Sequence, residues 1–294
     1  MNEASLIHQF QTINVWKKAG ERAVHKPLLI LYALGRCQRD ESRLIGYNET
    51  NETFQSLMEA FGPSRKTYTS YPFFYLQSDG LWELESTSCL TRTKQSKAYT
   101  HSSLVKNNTL GGMPKEIFSY LQKNKDLIPQ LAQTILDGHF PETLHNDILL
   151  AVGITPSIAS SAKTVRDPKF REQVLEAYEY KCAICGYNLR VGQRLVGLEA
   201  AHIKWHHAGG PDIQKNGIAL CSMHHKLFDY GAFTLSDQFT VEVSRRAHGD
   251  FGKAEWLMNY QGKQIRCPQS DLYFPEPEFL HWHVREVFKS TYRP

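Results

Sequence analysis

Apolar residues near the start of the chain recur at the spacing of an amphipathic helix. Leu6, Phe10, Ile13 and Trp16 share one face if residues 4–19 are helical, because side chains three and four positions apart lie on the same side of a helix. The pattern therefore predicts a single helix over this segment.

Further segments show the same helical periodicity. Residues 49–61, 114–136 and 144–152 carry apolar residues three and four positions apart, as in a helix that buries one face. Pro27 fits the first turn of another helix, where its missing N–H is not needed. Pro168 opens a further helical segment in the same way. The chain is therefore expected to be rich in helices.

Two segments instead have the patterns of short hairpins. Asp79 and Gly80 form a turn signal between apolar-rich runs, with Trp82 and Leu84 in the returning strand. Residues 233–243 alternate between apolar and polar side chains. Both segments predict short antiparallel strands among the helices.

The length of 294 residues is enough for about two domains. A small, polar run at residues 155–165 is typical of a linker. We therefore predict domains at residues 1–153 and 167–294, joined by residues 154–166. The sequence has no apolar run of about eighteen residues and no signal-peptide pattern at its start, so we expect a cytoplasmic protein that does not enter a membrane.

Positive charge is concentrated locally, although the net charge is only +4. Residues 62–78 and 86–115 contain Lys and Arg but no Asp or Glu. His25 and Lys26 precede Pro27, at a helix start where the dipole and unpaired N–H groups favour an anion. These features suit a polyanionic partner such as a nucleic acid. Ordinary solvated loops and helix caps would have the same composition.

Four residues in the second half have the spacing of a zinc site. A C-x-x-C pair precedes a C-x-x-H pair, and a two-residue gap lets one tight turn present both ligands of a pair to tetrahedral Zn²⁺. The four are Cys182, Cys185, Cys221 and His224. A closed set of four ligands predicts a structural zinc site. Cys37, Cys89 and Cys267 are scattered and are expected to be buried or idle thiols.

His202, Asn216 and His225 lie among these ligands and are left over. In this order, within residues 182–229, they resemble the HNH nuclease motif, a strand–strand–helix finger with a catalytic metal. The resemblance implies that His202 is the general base and that His225 binds the catalytic Mg²⁺ or Mn²⁺. It also implies that Asn216 holds the loop between the strands and orients the base. A neutral imidazole suits general-base work near neutral pH.

One position departs from the usual HNH pattern. Many members of that family have Asp, a metal ligand, immediately before the first His, where this chain has Ala201. Glu199, His206 or Asp229 could supply the missing ligand atom, and the sequence leaves this choice open. Asp229 could equally serve only to cap or orient.

The N-terminal half carries a second resemblance. The segments H-K-P-L-L, Y-P-F-F-Y-L-Q-S-D-G-L-W-E-L and G-G are similar to the sulfur-binding domain of type IV restriction endonucleases. That family recognises DNA with a phosphorothioate in its backbone and couples this domain to an HNH nuclease. The resemblance implies an apolar cup for the sulfur at Tyr71, Pro72 and Phe73. It also implies that His25 and Lys26 hold the anion. Further phosphate or base contacts are expected from Arg22, Arg65, Lys94 and Lys97.

The chemistry of sulfur is consistent with such a cup. A non-bridging sulfur is larger, softer and more weakly hydrated than the oxygen it replaces, yet it still belongs to an anion. An apolar cup beside a cation or a helix N-terminus would accept it, whereas an ordinary phosphate oxygen would lose its hydrogen bonds there.

The two resemblances imply an α+β protein with an N-terminal mixed α/β sulfur-binding domain and a C-terminal zinc-containing ββα-metal (HNH) nuclease domain. We expect a modification-dependent endonuclease that acts on phosphorothioated double-stranded DNA. We expect a homodimer, because one HNH finger cuts one strand. Two alternatives stay open: an HNH endonuclease that reads a methylated base or plain sequence, and a zinc-finger protein that binds DNA without cleaving it.

Overall fold

The computed structural model of the chain describes residues 2–18, 21–65, 68–94, 96–155 and 168–290. The chain divides into two compact units, Met1–Gly62 with Lys66–Ala162 and Pro63–Arg65 with Lys163–Pro294. The predicted linker, residues 154–166, lies outside the described residues from position 156 onward. Both units mix helices with short strands, so the chain is an α+β protein.

Helices dominate the first unit. They are α1 (Glu3–Gln11), α2 (His25–Gln38), α3 (Tyr47–Phe61), α4 (Ser70–Tyr75), α5 (His101–Asn107), α6 (Lys115–Lys123), α7 (Leu127–His139) and α8 (Glu142–Val152). Helix α2 is buried on nearly all sides, with 10 of its 14 residues in the core. A helix that is apolar all round needs neighbours on every side, and α2 packs against α3, α4, α6, α7 and α8.

Short strands complete the first unit. They are β1 (Lys17–Lys18), β2 (Glu21–Arg22), β3 (Leu44–Gly46), β4 (Glu83–Leu84) and β5 (Leu110–Gly112). Strand β1 pairs antiparallel with β2, and β5 lies between β3 and β4, antiparallel to both. A Cβ at Gly112 would lie 2.0 Å from the carbonyl oxygen of Arg43. Glycine therefore permits the close approach of the central strand.

The helix predicted over residues 4–19 is too long. Helix α1 ends at Gln11, and the following residues lead without helix into β1. Ile13 and Val15 are buried while Asn14 and Trp16 are exposed, which is the period of two of an extended chain. The spacing of Ile13 and Trp16 fits a helix as well, so the sequence pattern alone could not separate the two conformations.

The hairpin predicted around Asp79 is wrong in its first half. Ser70–Tyr75 forms α4, and a 3₁₀ turn at Leu76–Asp79 ends at Gly80 with a φ of +67°. The predicted turn is present, but it ends a helix, and β4 pairs with the distant β5. Aromatic residues favour strands on average. Here the packing of α4 against α2 stabilises a helix instead.

The remaining helix predictions for this unit are confirmed. Residues 49–61 lie in α3, residues 144–152 lie in α8, and residues 114–136 are divided between α6 and α7. Pro27 lies in the first turn of α2. Within the described ranges, no helix is long and apolar enough to cross a membrane.

The second unit contains a two-stranded hairpin that is followed directly by a helix. Its elements are α9 (Pro168–Ala177), β6 (Arg190–Val191), β7 (Arg194–Leu195), β8 (Leu198–His202), β9 (Gly217–Cys221), α10 (Ser222–Asp229), β10 (Phe233–Leu235), β11 (Val241–Val243), α11 (Lys253–Trp256) and α12 (Pro277–Glu286). Strands β8 and β9 pair antiparallel, and both α9 and α10 pack against them. The predicted hairpin at residues 233–243 is confirmed as β10 and β11.

Helix α12 closes the core of the second unit with a buried histidine. The ring of His283 stacks on Phe228 at a centroid distance of 3.7 Å. Its Nε2 donates to the Phe228 carbonyl at 3.1 Å, and its Nδ1 lies 2.8 Å from the Thr234 hydroxyl. These neutral partners make His283 a packing residue.

Candidate metal centres and DNA-contacting residues

The two cysteine-containing turns converge on one point. The ligand atoms of the four residues predicted to bind zinc all lie within 4.8 Å of one another. The Sγ atoms of Cys185 and Cys221 are 3.9 Å apart, and Nδ1 of His224 lies 3.2 Å from Cys221 Sγ and 3.6 Å from Cys182 Sγ. A tetrahedral Zn²⁺ requires about 3.8 Å between sulfurs and about 3.6 Å between sulfur and nitrogen. The cluster therefore fits zinc.

The surroundings of the cluster support the same conclusion. Nε2 of His224 faces the Trp256 carbonyl at 2.9 Å, so Nδ1 is the nitrogen available to a metal. Burial lowers the pKa of His224, but hydrogen bonds to Cys182 and Cys185 outweigh it and raise the pKa to about 9. Hydrogen bonds from Cys185 and Cys221 lower the pKa of Cys182, whereas Cys182 raises the pKa of Cys221. A divalent cation would allow all three thiols to ionise.

Asn216 closes the loop between β8 and β9. Its side chain is fully buried. The amide oxygen accepts a hydrogen bond from the Lys204 N–H at 2.8 Å, and the amide nitrogen donates to the carbonyls of Lys204 and Pro211, both at 2.9 Å. This arrangement can hold the chain immediately after His202.

His202 ends β8 and lies between an aromatic ring and a carboxylate. Its imidazole stacks on Phe170 at a centroid distance of 4.0 Å, and its Nε2 lies 2.7 Å from Oδ1 of Asp212. Nε2 of His206 lies 4.0 Å from the other oxygen of Asp212. Asp212 was not among the predicted site residues. The usable signal was an acidic residue between His202 and Asn216 in the sequence.

His225 occupies the middle of α10 between two carboxylates. Its Nδ1 lies 2.6 Å from Oε2 of Glu199, and its Nε2 lies 3.3 Å from Oδ2 of Asp229. The other oxygen of Asp229 accepts a hydrogen bond from the indole N–H of Trp205 at 2.9 Å. Burial lowers the pKa of His225, but the charge of Asp229 and the hydrogen bonds to both carboxylates outweigh it and raise the pKa to about 9.

Two of the three residues that could compensate for Ala201 therefore contact His225. Glu199 and Asp229 lie beside its ring, whereas His206 lies next to Asp212. Carboxylate ligands are suited to Mg²⁺ or Mn²⁺, and Glu199 and Asp229 place two of them beside His225, so these residues also fit a catalytic cation.

The residues predicted to form the sulfur cup lie on α4 in the first unit. Pro72 and Phe73 are buried, while Tyr71 is 39% exposed and stacks with Tyr75 at a centroid distance of 6.3 Å. Helix α4 packs against α2, whose first residues are His25 and Lys26. The two predicted elements thus pack together, and Tyr71 is the solvent-facing one of the three predicted residues.

Two of the predicted cations are paired within the protein. Nζ of Lys26 lies 2.6 Å from a carboxylate oxygen of Asp79, and both side chains are largely buried. Arg65 belongs to the second unit, where its guanidinium lies 2.6 Å from a carboxylate oxygen of Glu286. Each cation is therefore balanced by a partner far along the chain, which the local charge count did not show.

The other predicted cations differ in their surroundings. Lys94 and Lys97 are exposed, as a phosphate contact requires. Arg22 lies on β2, and its side chain is outside the described part of the chain. Arg92 was not among the predicted contacts. Its guanidinium carbon lies 5.7 Å from the ring centroid of Phe74 and 5.0 Å from that of Tyr99.

Comparisons with known protein families match two segments of the chain. A family model described as ScoMcrA-like, DNA sulfur-binding domain, matches residues 3–157, and a model described as HNH endonuclease matches residues 182–236. No curated protein matches the chain.

Several solved structures are similar to about half of the chain. The sulfur-binding domain of ScoMcrA complexed with phosphorothioated DNA is 23% identical with a TM-score of 0.45, covering 50% of this chain and 94% of that one. The type IV phosphorothioation-dependent restriction endonuclease ScoMcrA is 22% identical with a TM-score of 0.43, covering 50% and 27%. The modification-dependent TagI restriction endonuclease is 21% identical with a TM-score of 0.30, covering 46% and 41%. The match thus covers less than half of each of the last two proteins.

The match to the sulfur-binding model extends over more than half of the 294 residues, and the HNH match contains both histidines and the asparagine of the motif. The chain therefore belongs to the ScoMcrA-like DNA sulfur-binding domain family and carries an HNH endonuclease domain behind that domain.

Proposed function

We propose that the protein is a modification-dependent DNA endonuclease that binds phosphorothioated DNA and hydrolyses phosphodiester bonds near the modification. The observation that carries the proposal is the strand–strand–helix arrangement of His202, Asn216 and His225, in a chain whose other half is a DNA sulfur-binding domain. We assign binding to residues 1–153, hydrolysis to residues 167–294, and a linking role to residues 154–166.

Sulfur recognition is assigned to the start of α2 and to α4. Tyr71 is partly exposed and lies next in the chain to the buried Pro72. Its ring offers apolar surface, which suits a weakly hydrated sulfur better than an oxygen. His25 and the N–H groups at the start of α2 are placed to hold the remaining anionic oxygen. The pairing of Lys26 with Asp79 favours a role for Lys26 in holding the cup together.

We assign the role of general base in hydrolysis to His202. The base takes a proton from water, which then attacks phosphorus in line. The carboxylate of Asp212 orients the imidazole and stabilises the positive charge that develops on it. Asn216 holds the backbone directly after the base. A divalent cation at His225, Mg²⁺ or Mn²⁺, would supply charge stabilisation for the phosphate and the leaving oxygen.

The zinc cluster and the catalytic residues have separate tasks in this proposal. Cys182, Cys185, Cys221 and His224 form a closed set of four ligands, and such a set stabilises structure without binding substrate. One HNH hairpin cuts one strand, so we propose that two copies of the chain act together on a duplex.

A cleavage assay tests the proposal. Two duplexes identical except for one phosphorothioate are incubated with the protein and Mn²⁺ or Mg²⁺, with His202→Ala as the inactive control. We expect cutting of the sulfur-containing duplex alone, and a loss of roughly 10²- to 10⁴-fold in the variant. Equal cutting of both duplexes would remove sulfur recognition but leave the nuclease. Cutting of neither duplex by the wild type would indicate a binding protein that does not cleave. Undiminished cutting by the His202→Ala protein would exclude His202 as the general base.

A further inference from the structure

Glu199 contacts His225 although the two residues belong to different elements. Glu199 lies on β8, and its Oε2 is 2.6 Å from Nδ1 of His225 on α10. Its other oxygen accepts a hydrogen bond from the hydroxyl of Ser222 at 2.8 Å. The carboxylate is therefore held from both sides at the start of α10.

The register of β8 explains how Glu199 can replace the acid that is missing at Ala201. Side chains alternate along a strand, so positions 199 and 201 point to the same face and their Cα atoms lie about 7 Å apart. Ala201 is fully buried and carries no functional group. Glutamate is one methylene longer than aspartate, and from position 199 its carboxylate reaches the ring of His225.

Asp229 contacts the same ring from a different environment. Its oxygens face Nε2 of His225 and the indole N–H of Trp205. Its side chain is 1% exposed, whereas that of Glu199 is 42% exposed. Magnesium and manganese retain several waters or phosphate oxygens, and only the exposed carboxylate leaves room for them.

The surroundings of the two ring nitrogens of His225 thus resemble those of a typical metal-binding histidine. Such a histidine usually donates the N–H of one ring nitrogen to a buried carboxylate, which orients the other nitrogen towards the metal. Asp229, which contacts Nε2, corresponds to the orienting carboxylate. Nδ1 faces Glu199, the carboxylate that solvent can reach.

We propose that Glu199 and Nδ1 of His225 together bind the catalytic divalent cation, with Asp229 as a positioning residue. This inference rests on the proposed function, since the cation is the one that HNH hydrolysis requires. Binding would displace the contact between Nδ1 and Oε2. Water and a DNA phosphate would supply the remaining oxygen ligands.

Binding of Mn²⁺ to the zinc-loaded full chain, followed by electron paramagnetic resonance, tests this assignment without DNA cleavage. We expect Glu199→Gln to weaken Mn²⁺ binding by more than about tenfold. Glu242 is an exposed carboxylate on β11, and the matched Glu242→Gln variant is expected to bind Mn²⁺ like the wild type. Zinc content is measured in parallel and should be unchanged in each variant, and a cooperative thermal transition shows that each variant is folded.

The Asp229→Asn variant separates the two carboxylates. We expect a smaller loss of Mn²⁺ affinity than in Glu199→Gln, because Asp229 acts through His225. Unchanged Mn²⁺ affinity in Glu199→Gln, or a larger loss in Asp229→Asn, would overturn the assignment. If the wild type binds Mn²⁺ with the expected dependence on Glu199 but cuts neither duplex, the proposed function fails and the cation site stands.

Discussion

His224 and His225 are adjacent on α10, yet they face ligands of different chemistry. His224 lies against three thiols, and His225 lies between two carboxylates. Soft sulfur ligands select zinc, whereas carboxylates favour Mg²⁺ or Mn²⁺. Two successive residues of one helix point in different directions, so one turn can contribute both to the proposed structural site and to the proposed catalytic one.

A third histidine shows that burial does not decide the charge of these rings. His225 and His283 are both nearly inaccessible to solvent, and burial lowers the pKa of each. The carboxylates around His225 reverse the effect and raise its pKa to about 9. His283 has a carbonyl and a hydroxyl as its hydrogen-bonding partners, and its pKa is lowered to about 4. The chemistry of the partner therefore determines the direction of the shift.

Removal of zinc should have the largest effect. Binding at a structural site of this type contributes about 10 kcal/mol or more to folding, so Cys182→Ser is expected to abolish the cooperative unfolding transition of the second unit. Zinc analysis and calorimetry of the full chain measure this. The exposed Cys267 provides the control Cys267→Ser, which should retain zinc. A zinc-free Cys182→Ser protein with an unchanged transition would contradict the structural role.

Substitution of each adjacent histidine should separate the two metals. His224→Ala is expected to lose zinc and the folded second unit. His225→Ala is expected to retain zinc and the unfolding transition while losing Mn²⁺ binding and cleavage. Zinc content, Mn²⁺ resonance and duplex cleavage are compared in both variants. Loss of zinc in His225→Ala would show that the two sites are not independent.

Asn216 should matter for stability as well as for cleavage. Asn216→Ala removes three hydrogen bonds and leaves backbone groups of Lys204 and Pro211 without their partner, at a cost of about 3 kcal/mol. Urea unfolding measures the difference, and Asn259→Ala, at an exposed position, is the matched control. Equal stability of the two variants would contradict the proposed role of Asn216 in stabilising the loop between β8 and β9.

The pH dependence of stability tests whether the buried ring of His283 is neutral. Because the folded-state pKa of His283 is about 4, the unfolded chain binds a proton first as the pH falls below about 6.5. Its contribution is complete above pH 6.5 and is lost between about pH 6.5 and 4, by at most about 3 kcal/mol. His283→Gln should flatten the unfolding free energy over this window. An identical pH profile in the variant would contradict a neutral buried ring.

Asp212 should have the smallest effect. Asp212→Asn is expected to lower kcat roughly tenfold through the orientation of His202 while KM changes little. Steady-state cleavage of the phosphorothioated duplex measures both constants, and Asp250→Asn, at an exposed position, is the control. A rise in KM with unchanged kcat would place Asp212 in DNA binding instead.

The sequence predicted which four Cys and His side chains come together better than it predicted some of the helices and strands of the first unit. Zinc ligands in adjacent turns, and the strand–strand–helix order of the motif, are short-range features that residue spacing encodes. Helix and strand remained ambiguous where a short apolar run fitted both periods, as at Ile13–Trp16 and at Ser70–Tyr75. There the neighbouring elements in the folded unit determined the conformation.

The sequence by itself determined which residues can bind zinc and which three form the HNH pattern, because both depend on residue type and local spacing. Tertiary structure decided which charges are available. Asp79 neutralises Lys26 from 53 positions away, and Glu199 reaches His225 across 26 positions. Local composition cannot reveal such pairings, since they form only when the helices and strands that carry the side chains have packed together.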